Sequence, residues 1–390
     1  MLNLTDTQKA IVETVRDLVD NEVIPVADEM EHSDEFPDQI VEKMKEVGLF
    51  GLTVPEEHGG IGESLVTYAL SVVELARAWM SLSGILNTHY MGCYLIDKFG
   101  TDEQKQRFLP KMATGEWRAA LAMSEPEAGS DVQGIKTKAI RDGDDYVVNG
   151  QKMWLTNGLR AAIVMTLVKT DPDADPPHKG MSMLIVEKKG GNPTPAPGLD
   201  VGKNIEKMGY KGVETTEMTF SDFRIPTSNL LGTEEGQGFR QVLDGIEIGR
   251  VNVAARAVGL ATRAFEEAIR YAQERKAFGK AISEHQAIQV HLAEMGTQLE
   301  AAKLMLYSAA QKKVSGERSD LEASMAKLFA SEACHEITTK ALRVHGGYGY
   351  SKEFTIERLY RDAPFLLIGE GTSEIQKLVI ARRLLERYKS

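Results

Sequence analysis

Apolar residues near the N-terminus and again after residue 238 recur at spacings of three and four, the period of helices with one buried face. Ile11, Val15 and Leu18 follow Thr5-Asp6-Thr7-Gln8, in which Thr5 and Gln8 have the spacing of a capping box. Later, Val258, Ala261, Phe265, Ala268 and Ala272 form one stripe, and Ile288, Leu292, Met295, Leu299, Ala302 and Leu306 a longer one, which predicts long antiparallel bundle helices. Between residues 119 and 235 the period changes. Eight of the 13 prolines fall there, and proline removes donors that a long helix needs. The runs 162–168, 181–186 and 217–220 have strand length, with loops expected at 171–179 and 190–198. Tyr146-Val147-Val148 leads into Asn149-Gly150, a pair suited to a type I′ turn, and then into Lys152-Met153-Trp154-Leu155-Thr156. The pattern predicts an α+β multidomain chain, mainly α, with an N-terminal helical domain (1–118), a middle antiparallel β-sheet or barrel domain (119–235) and a C-terminal helical bundle domain (236–390).

Composition narrows what such a chain does. With 390 residues, 42% of them hydrophobic and 26% charged, it is long enough for several cores and has neither a disordered nor a collagenous profile. A formal net charge of −11 repels phosphate backbones and anionic headgroups, so nucleic acid is not an expected partner. Two cysteines, Cys93 and Cys334, cannot build a disulfide framework and suit a reducing compartment. No apolar run is long enough for membrane insertion, and the N-terminus lacks the charged start and apolar run of a secretory signal. A cytoplasmic protein is expected; a processed mitochondrial matrix form has the same features.

Several chemistries are absent. His335-Glu336-Ile337-Thr338-Thr339 begins like a zinc-protease helix, but Thr339 stands where the second ligand belongs, so no metal is expected. The segment 369–374 carries two glycines of a dinucleotide fingerprint without the third, 198–203 is one residue short of a phosphate loop, and no G-x-S-x-G elbow occurs.

Three segments carry a positive signal. Small residues, a proline and serines in 122–131 (AMSEPEAGSD) leave backbone donors for a polar or planar ligand, or simply make an interdomain turn. Trp154-Leu155-Thr156-Asn157-Gly158 ends a strand with an aromatic that either packs in a core or stacks on a flat cofactor. In Ile368-Gly369-Glu370-Gly371-Thr372-Ser373-Glu374-Ile375-Gln376 the S-x-x-Q spacing predicts a helix beginning at Ser373. Glu370 then follows the apolar run 365–368, where burial would disfavour its charge and make it a better base.

Taken together, "AMSEPEAGSD", "MWLTNG", "ERKAFGK", "HGGYGY" and "RDAPFLLIGEGTSEIQ" resemble the acyl-CoA dehydrogenase family in order and spacing over essentially the whole chain. The resemblance implies FAD, a C-terminal four-helix bundle, a homotetramer or homodimer, electron transfer flavoprotein as electron acceptor, and α,β-dehydrogenation of an acyl-CoA thioester. Carried over by position, Met123, Ser124, Ser130, Trp154 and Thr156 line the flavin, and Ser130 also touches the thioester arm. Arg275, Phe278 and Gln286 reach FAD across a subunit interface together with Arg343, Gly346 and Gly347, and Thr372 and Glu374 meet its dinucleotide end. Glu247, Arg250 and Gly371 fall to the substrate side, and Glu370 aligns with the catalytic base. In the family the thioester carbonyl is held by a ribityl hydroxyl of the flavin and the backbone N–H of the base.

Departures from the pattern are local. Gly249 stands before the helix arginine, where some members carry the base, which leaves Glu370 for that role. Gly369 replaces a common tyrosine and implies room for a branched or bulkier acyl group. Arg343 replaces a common glutamine, and His345 an aliphatic residue. Two other functions share these residues: an acyl-CoA oxidase passing electrons to oxygen, and a non-catalytic FAD- or CoA-binding scaffold.

Overall fold

The computed structural model describes residues 4–188 and 196–389, so most of the loop expected at 190–198 lies outside the described residues. The first third is helical: α1 (Asp6–Leu18), α2 (Ile24–Ser33), α3 (Asp38–Glu46), α4 (Leu65–Ala78), α5 (Met80–Phe99) and α6 (Asp102–Ala113). The capping box at Thr5 and Gln8 forms with both hydrogen bonds present.

The middle third is a seven-stranded sheet of β1 (Ala119–Ala122), β2 (Lys138–Asp142), β3 (Asp145–Thr156), β4 (Ile163–Lys169), β5 (Met181–Glu187), β6 (Leu199–Val201) and β7 (Thr215–Pro226). It is mixed rather than wholly antiparallel, because β4 runs parallel to β1 and touches β2 in the same sense. Asn149-Gly150 does not turn the chain. β3 passes straight through it, opposite a bulge in β7, where Asn149 and Asp222 exchange two hydrogen bonds. The long ladder to β7 outweighs the turn preference of two residues.

The last third comprises α7 (Gly238–Glu274), a hairpin of β8 (Lys276–Ala277) and β9 (Lys280–Ala281), α8 (Gln286–Val314), α9 (Asp320–His345), α10 (Ile356–Ile368) and α11 (Ser373–Arg387). Helices α7 to α10 pack on one another and α11 lies on α9, a four-helix bundle with a fifth helix added. Of the expected stripes, Val258, Ala261, Ala268, Ala272, Met295, Leu299, Ala302 and Leu306 are buried, while Phe265, Ile288 and Leu292 pack at the margin. One apolar core joins this bundle to α1, α4 and α5. At the α4–α7 crossing a Cβ on Gly259 would lie 2.3 Å from the Val73 carbonyl oxygen, so only glycine permits the approach. Among the described residues no helix is long and apolar enough to cross a membrane.

Candidate active site

Helix α10 ends at Ile368, and α11 begins five residues later. Between them Glu370 adopts φ 54° and Gly371 φ 91°. A left-handed non-glycine residue costs about 1–2 kcal/mol, so it persists only where neighbours fix it. Here the Gly371 carbonyl accepts from Lys327 Nζ at 2.9 Å and from Gln376 Nε2 at 3.0 Å. The cap of α11 is Thr372, not Ser373. The Thr372 hydroxyl accepts from the Ile375 N–H at 3.3 Å, and Gln376 is spent on Gly371 instead of closing a box with Ser373.

This turn lowers the Glu370 carboxylate onto α7 at Gly249, where a Cβ would lie 1.9 Å from Oε2. Asn87 Nδ2 donates to Oε1, Arg256 Nη2 stands 3.9 Å from the same oxygen, and Oε2 is buried without a partner. Burial pushes the Glu370 carboxyl above its ordinary range; Arg256, Asn87, Lys327 and Arg250 pull the other way without cancelling it. The same burial lowers the Lys327 ammonium to about 8. It also lowers the guanidinium of Arg250, whose Nη1 donates to Ser324 at 3.3 Å and whose Nε is buried and unpaired. Glu247, one turn earlier, takes the Ser319 hydroxyl and pairs with Lys313 at 3.0 Å.

Around the carboxylate lies a polar group that the sequence reading did not single out. Arg256, only 1% exposed, donates from Nε to Asn252 Oδ1 at 2.6 Å and from Nη1 to the Tyr210 hydroxyl at 3.3 Å. Asn252 Nδ2 donates to the Tyr68 hydroxyl at 2.5 Å. Tyr210 stacks on Phe365 with ring centres 4.5 Å apart, and its N–H donates to Asp362 at 2.6 Å. A Cβ on Gly84 would lie 1.8 Å from the Tyr210 hydroxyl, which the Thr156 hydroxyl also approaches. A signal existed: Asn252 and Arg256, four apart, interrupt the otherwise apolar stretch 251–261. Gly369 does not widen the pocket as expected, because a Cβ there would meet Phe365 Cζ at 2.8 Å; the phenyl ring already fills that space.

The sheet presents a second group. Between Lys152 and Leu155, β3 advances three residues while β7 advances two, and this bulge turns Trp154 out at φ 67° with 57% of its surface exposed. Met123 and Ser124 lie alongside: the Met153 N–H donates to the Ser124 carbonyl at 2.9 Å and Lys152 Nζ to that of Met123 at 3.2 Å. Lys152 is buried against Glu125 at 2.8 Å, and the Glu125 carboxylate also takes the N–H groups of Lys136 and Thr137. Burial lowers Lys152 to about 8. Burial would also raise Glu125, but the Lys152 charge and the three donors hold it below the usual carboxylate range. This buried pair fixes the 123–137 loop, and Ser130 sits exposed on it.

A third group gathers at the far end of the bundle. The β8–β9 hairpin turns on Phe278 and Gly279, at φ 52° and 84°, and leaves the Phe278 ring 96% exposed. Arg275 lies 5.6 Å over the Tyr348 ring, and Gln286, Arg343, Gly346 and Gly347 are exposed on the neighbouring helix ends. His345 is buried there, stacked on Tyr271, with Nδ1–H donating to the Ala341 carbonyl at 2.8 Å. Lys327, which holds the Glu370 turn, and Arg343 are sixteen residues apart on α9, about 24 Å. Within one chain the structure therefore unites Glu370, Gly371 and Arg250, unites Met123, Ser124, Trp154 and Thr156, and leaves the Arg275–Gly347 group apart. Thr372 caps α11 and Glu374 is exposed beside it. A cleft of 470 Å³ lined by Tyr90, Cys93, Tyr94, Ile248 and Lys313 holds none of the expected site residues.

Three family models match in the same order: the N-terminal domain of acyl-CoA dehydrogenase over residues 5–116, its middle domain over 120–223 and its C-terminal domain over 236–385. The chain belongs to the acyl-CoA dehydrogenase family. It is 41% identical to an acyl-CoA dehydrogenase of Bacillus subtilis over 385 residues, covering 98% of this chain and 99% of that one. It is 39% identical over 391 residues to the caffeyl-CoA reductase-Etf complex subunit CarC of Acetobacterium woodii, covering 98% and 99%. Its fold is similar to that of butyryl-CoA dehydrogenase from Megasphaera elsdenii, with a TM-score of 0.94 and 34% identity over 99% of this chain and all of that one. Members of the family are FAD-dependent oxidoreductases. The residues present suit such a group: Trp154 turns a flat ring to solvent at a cost in backbone energy, and the Thr215 hydroxyl, opposite Thr156, is buried without a partner.

Proposed function

We propose that this acyl-CoA dehydrogenase removes hydrogen from Cα and Cβ of a saturated acyl-CoA thioester, with Glu370 as the base. One observation carries the reading: a carboxylate buried over Gly249, its pKa raised, with Oε2 free of any partner. A base is most effective when its pKa approaches the working pH, and an unpartnered oxygen is available to accept a proton. The thioester α-proton is a weak acid, so the carbonyl oxygen needs donors as negative charge builds on it. Among the described residues the Glu370 N–H finds no acceptor, which leaves it for that oxygen. Entry of the acyl chain excludes water, and the Lys327 and Gln376 bonds keep the carboxylate from swinging away.

Bound FAD would supply the acceptor for the β-hydride. Met123, Ser124, Ser130, Trp154 and Thr156 would hold it in one chain, with Thr372 and Glu374 near its other end. Arg275, Phe278, Gln286, Arg343, Gly346 and Gly347 would reach the FAD of a second copy, and we read the protein as a homotetramer on that basis. The exposure of Phe278 and the distance along α9 support this division. The name of the Acetobacterium relative supports electron transfer flavoprotein as an electron-transfer partner, and the dehydrogenase direction makes it the acceptor in this reading.

The test is anaerobic bleaching of the flavin band of the purified holoprotein by acyl-CoA thioesters. Glu370→Gln should slow bleaching by roughly 10³–10⁴-fold while FAD content stays unchanged. Bleaching at the wild-type rate would remove Glu370 from the role.

A further inference from the structure

Resting on that reading, we infer that the substrate is a short dicarboxylic acyl thioester, its distal carboxylate received by Arg256 and the polar groups around it, beside the base. The order of groups along α7 gives the direction. On that reading Glu247 and Arg250 fall to the CoA side, Gly249 lies beneath the base, and Arg256 stands seven residues beyond Gly249, about 10 Å further along the helix. An acyl chain that enters past Arg250 and lays Cα against Glu370 therefore ends against Arg256.

Arg256, Lys327 and Arg250 are all buried and all act on Glu370, yet Glu370 is the one carboxylate within 4 Å of Arg256 among the described residues. Arg250 also feels Glu247 and Asp320, and Lys327 feels Glu332 and Glu374, but among the described residues Arg256 has no such further anion. Arg256 Nε and Nη1 are used on neutral oxygens, of Asn252 and Tyr210, while Nη2 reaches only toward Glu370 at 3.9 Å. A buried guanidinium is costly unless an anion pairs with it, and planar N–H donors match a carboxylate. An apolar tail ending here would desolvate the cation and return nothing. Asn87 lies beside Glu370, and glycine at 84 admits the Tyr210 hydroxyl, so polar groups surround Arg256 and the carboxylate on several sides. Arg256 lies so near the base that few carbons separate the reacting Cα from the distal carboxylate, which points to diacids of four or five main-chain carbons.

The test compares 2-methylsuccinyl-CoA and glutaryl-CoA with butyryl-CoA on the FAD-loaded protein. The readouts are bleaching rate and the spectral shift on binding. Wild type should favour a dicarboxylic thioester by at least tenfold in kcat/KM. Arg256→Met should cut the dicarboxylic-to-butyryl ratio by roughly 100-fold, mostly through KM, and Arg256→Lys should restore part of it. If butyryl-CoA bleaches the flavin and is preferred, or the ratio is unmoved in Arg256→Met, this inference fails while Glu370 keeps its role. If no thioester bleaches the flavin, the proposed function falls with it. Should Arg256→Met not fold, the wild-type preference alone decides.

Discussion

The chain uses one backbone device twice, at Glu370-Gly371 and at Phe278-Gly279. In each a non-glycine residue near φ 50° precedes a glycine near φ 90°. The first is buried between three helices and fixed by Lys327 and Gln376; the second projects a phenyl ring into solvent, touched edge-on by His285. The backbone cost is similar, and what it secures differs. At Glu370 it positions a carboxylate against Gly249, and at Phe278 it offers an apolar surface that this chain leaves uncovered. The difference teaches that local strain marks both kinds of place, and only the packing around it tells an internal site from an outward one.

The sharpest way to break the contrast is to crowd the buried turn. Gly249→Ala places a methyl where Oε2 now sits, 1.9 Å away, so the carboxylate must move by an ångström or more. A misplacement of that size lowers kcat by on the order of 100-fold, with FAD content and thermal midpoint nearly unchanged. Wild-type turnover in this variant would show that the carboxylate need not sit against Gly249 to act.

How far these places were legible in the sequence follows from the same contrast. The helix stripes and the Thr5 cap were readable because each depends on neighbours within a few residues, whereas the surroundings of Glu370 come from Asn87, Gly249, Arg256 and Lys327, all distant in sequence. Asn149-Gly150 was misread for a related reason, since its turn chemistry is local while the ladder that overrides it comes from β7, some seventy residues later. The parallel pairing of β1 with β4 is likewise set by partners distant in sequence. Arg256, Asn252 and Lys327 pass for ordinary helical polar residues until the fold turns them inward. Tyr210 acquires its place only when Gly84 leaves a gap for its hydroxyl.

A milder change separates the lock from the charge. Lys327→Met removes the bond to the Gly371 carbonyl and one of the cations that lower the Glu370 pKa. The base acts deprotonated, so activity rises as pH climbs through its pKa. With Lys327 gone that pKa moves further up, and the acidic limb of the pH–kcat profile shifts to higher pH. The loss should be largest on the acidic side of the profile, about tenfold, and recovered in part as pH rises. A limb that stays in place with kcat lowered at every pH would mean that Lys327 acts through the turn alone.

The smallest expected effect lies at the exposed member of the pair. Phe278→Ala removes a ring that buries almost nothing in its own chain, so the unfolding free energy of the protomer should change by less than about 0.5 kcal/mol. If Phe278 meets the FAD of a second copy as proposed, retention of FAD by the assembled protein should nonetheless weaken by about tenfold, because the partner loses an aromatic face. Urea unfolding of the apoprotein and flavin release on dilution measure the two separately. A fall in the unfolding midpoint with FAD retention intact would make Phe278 an internal packing residue, and the two left-handed turns would then serve one purpose instead of two.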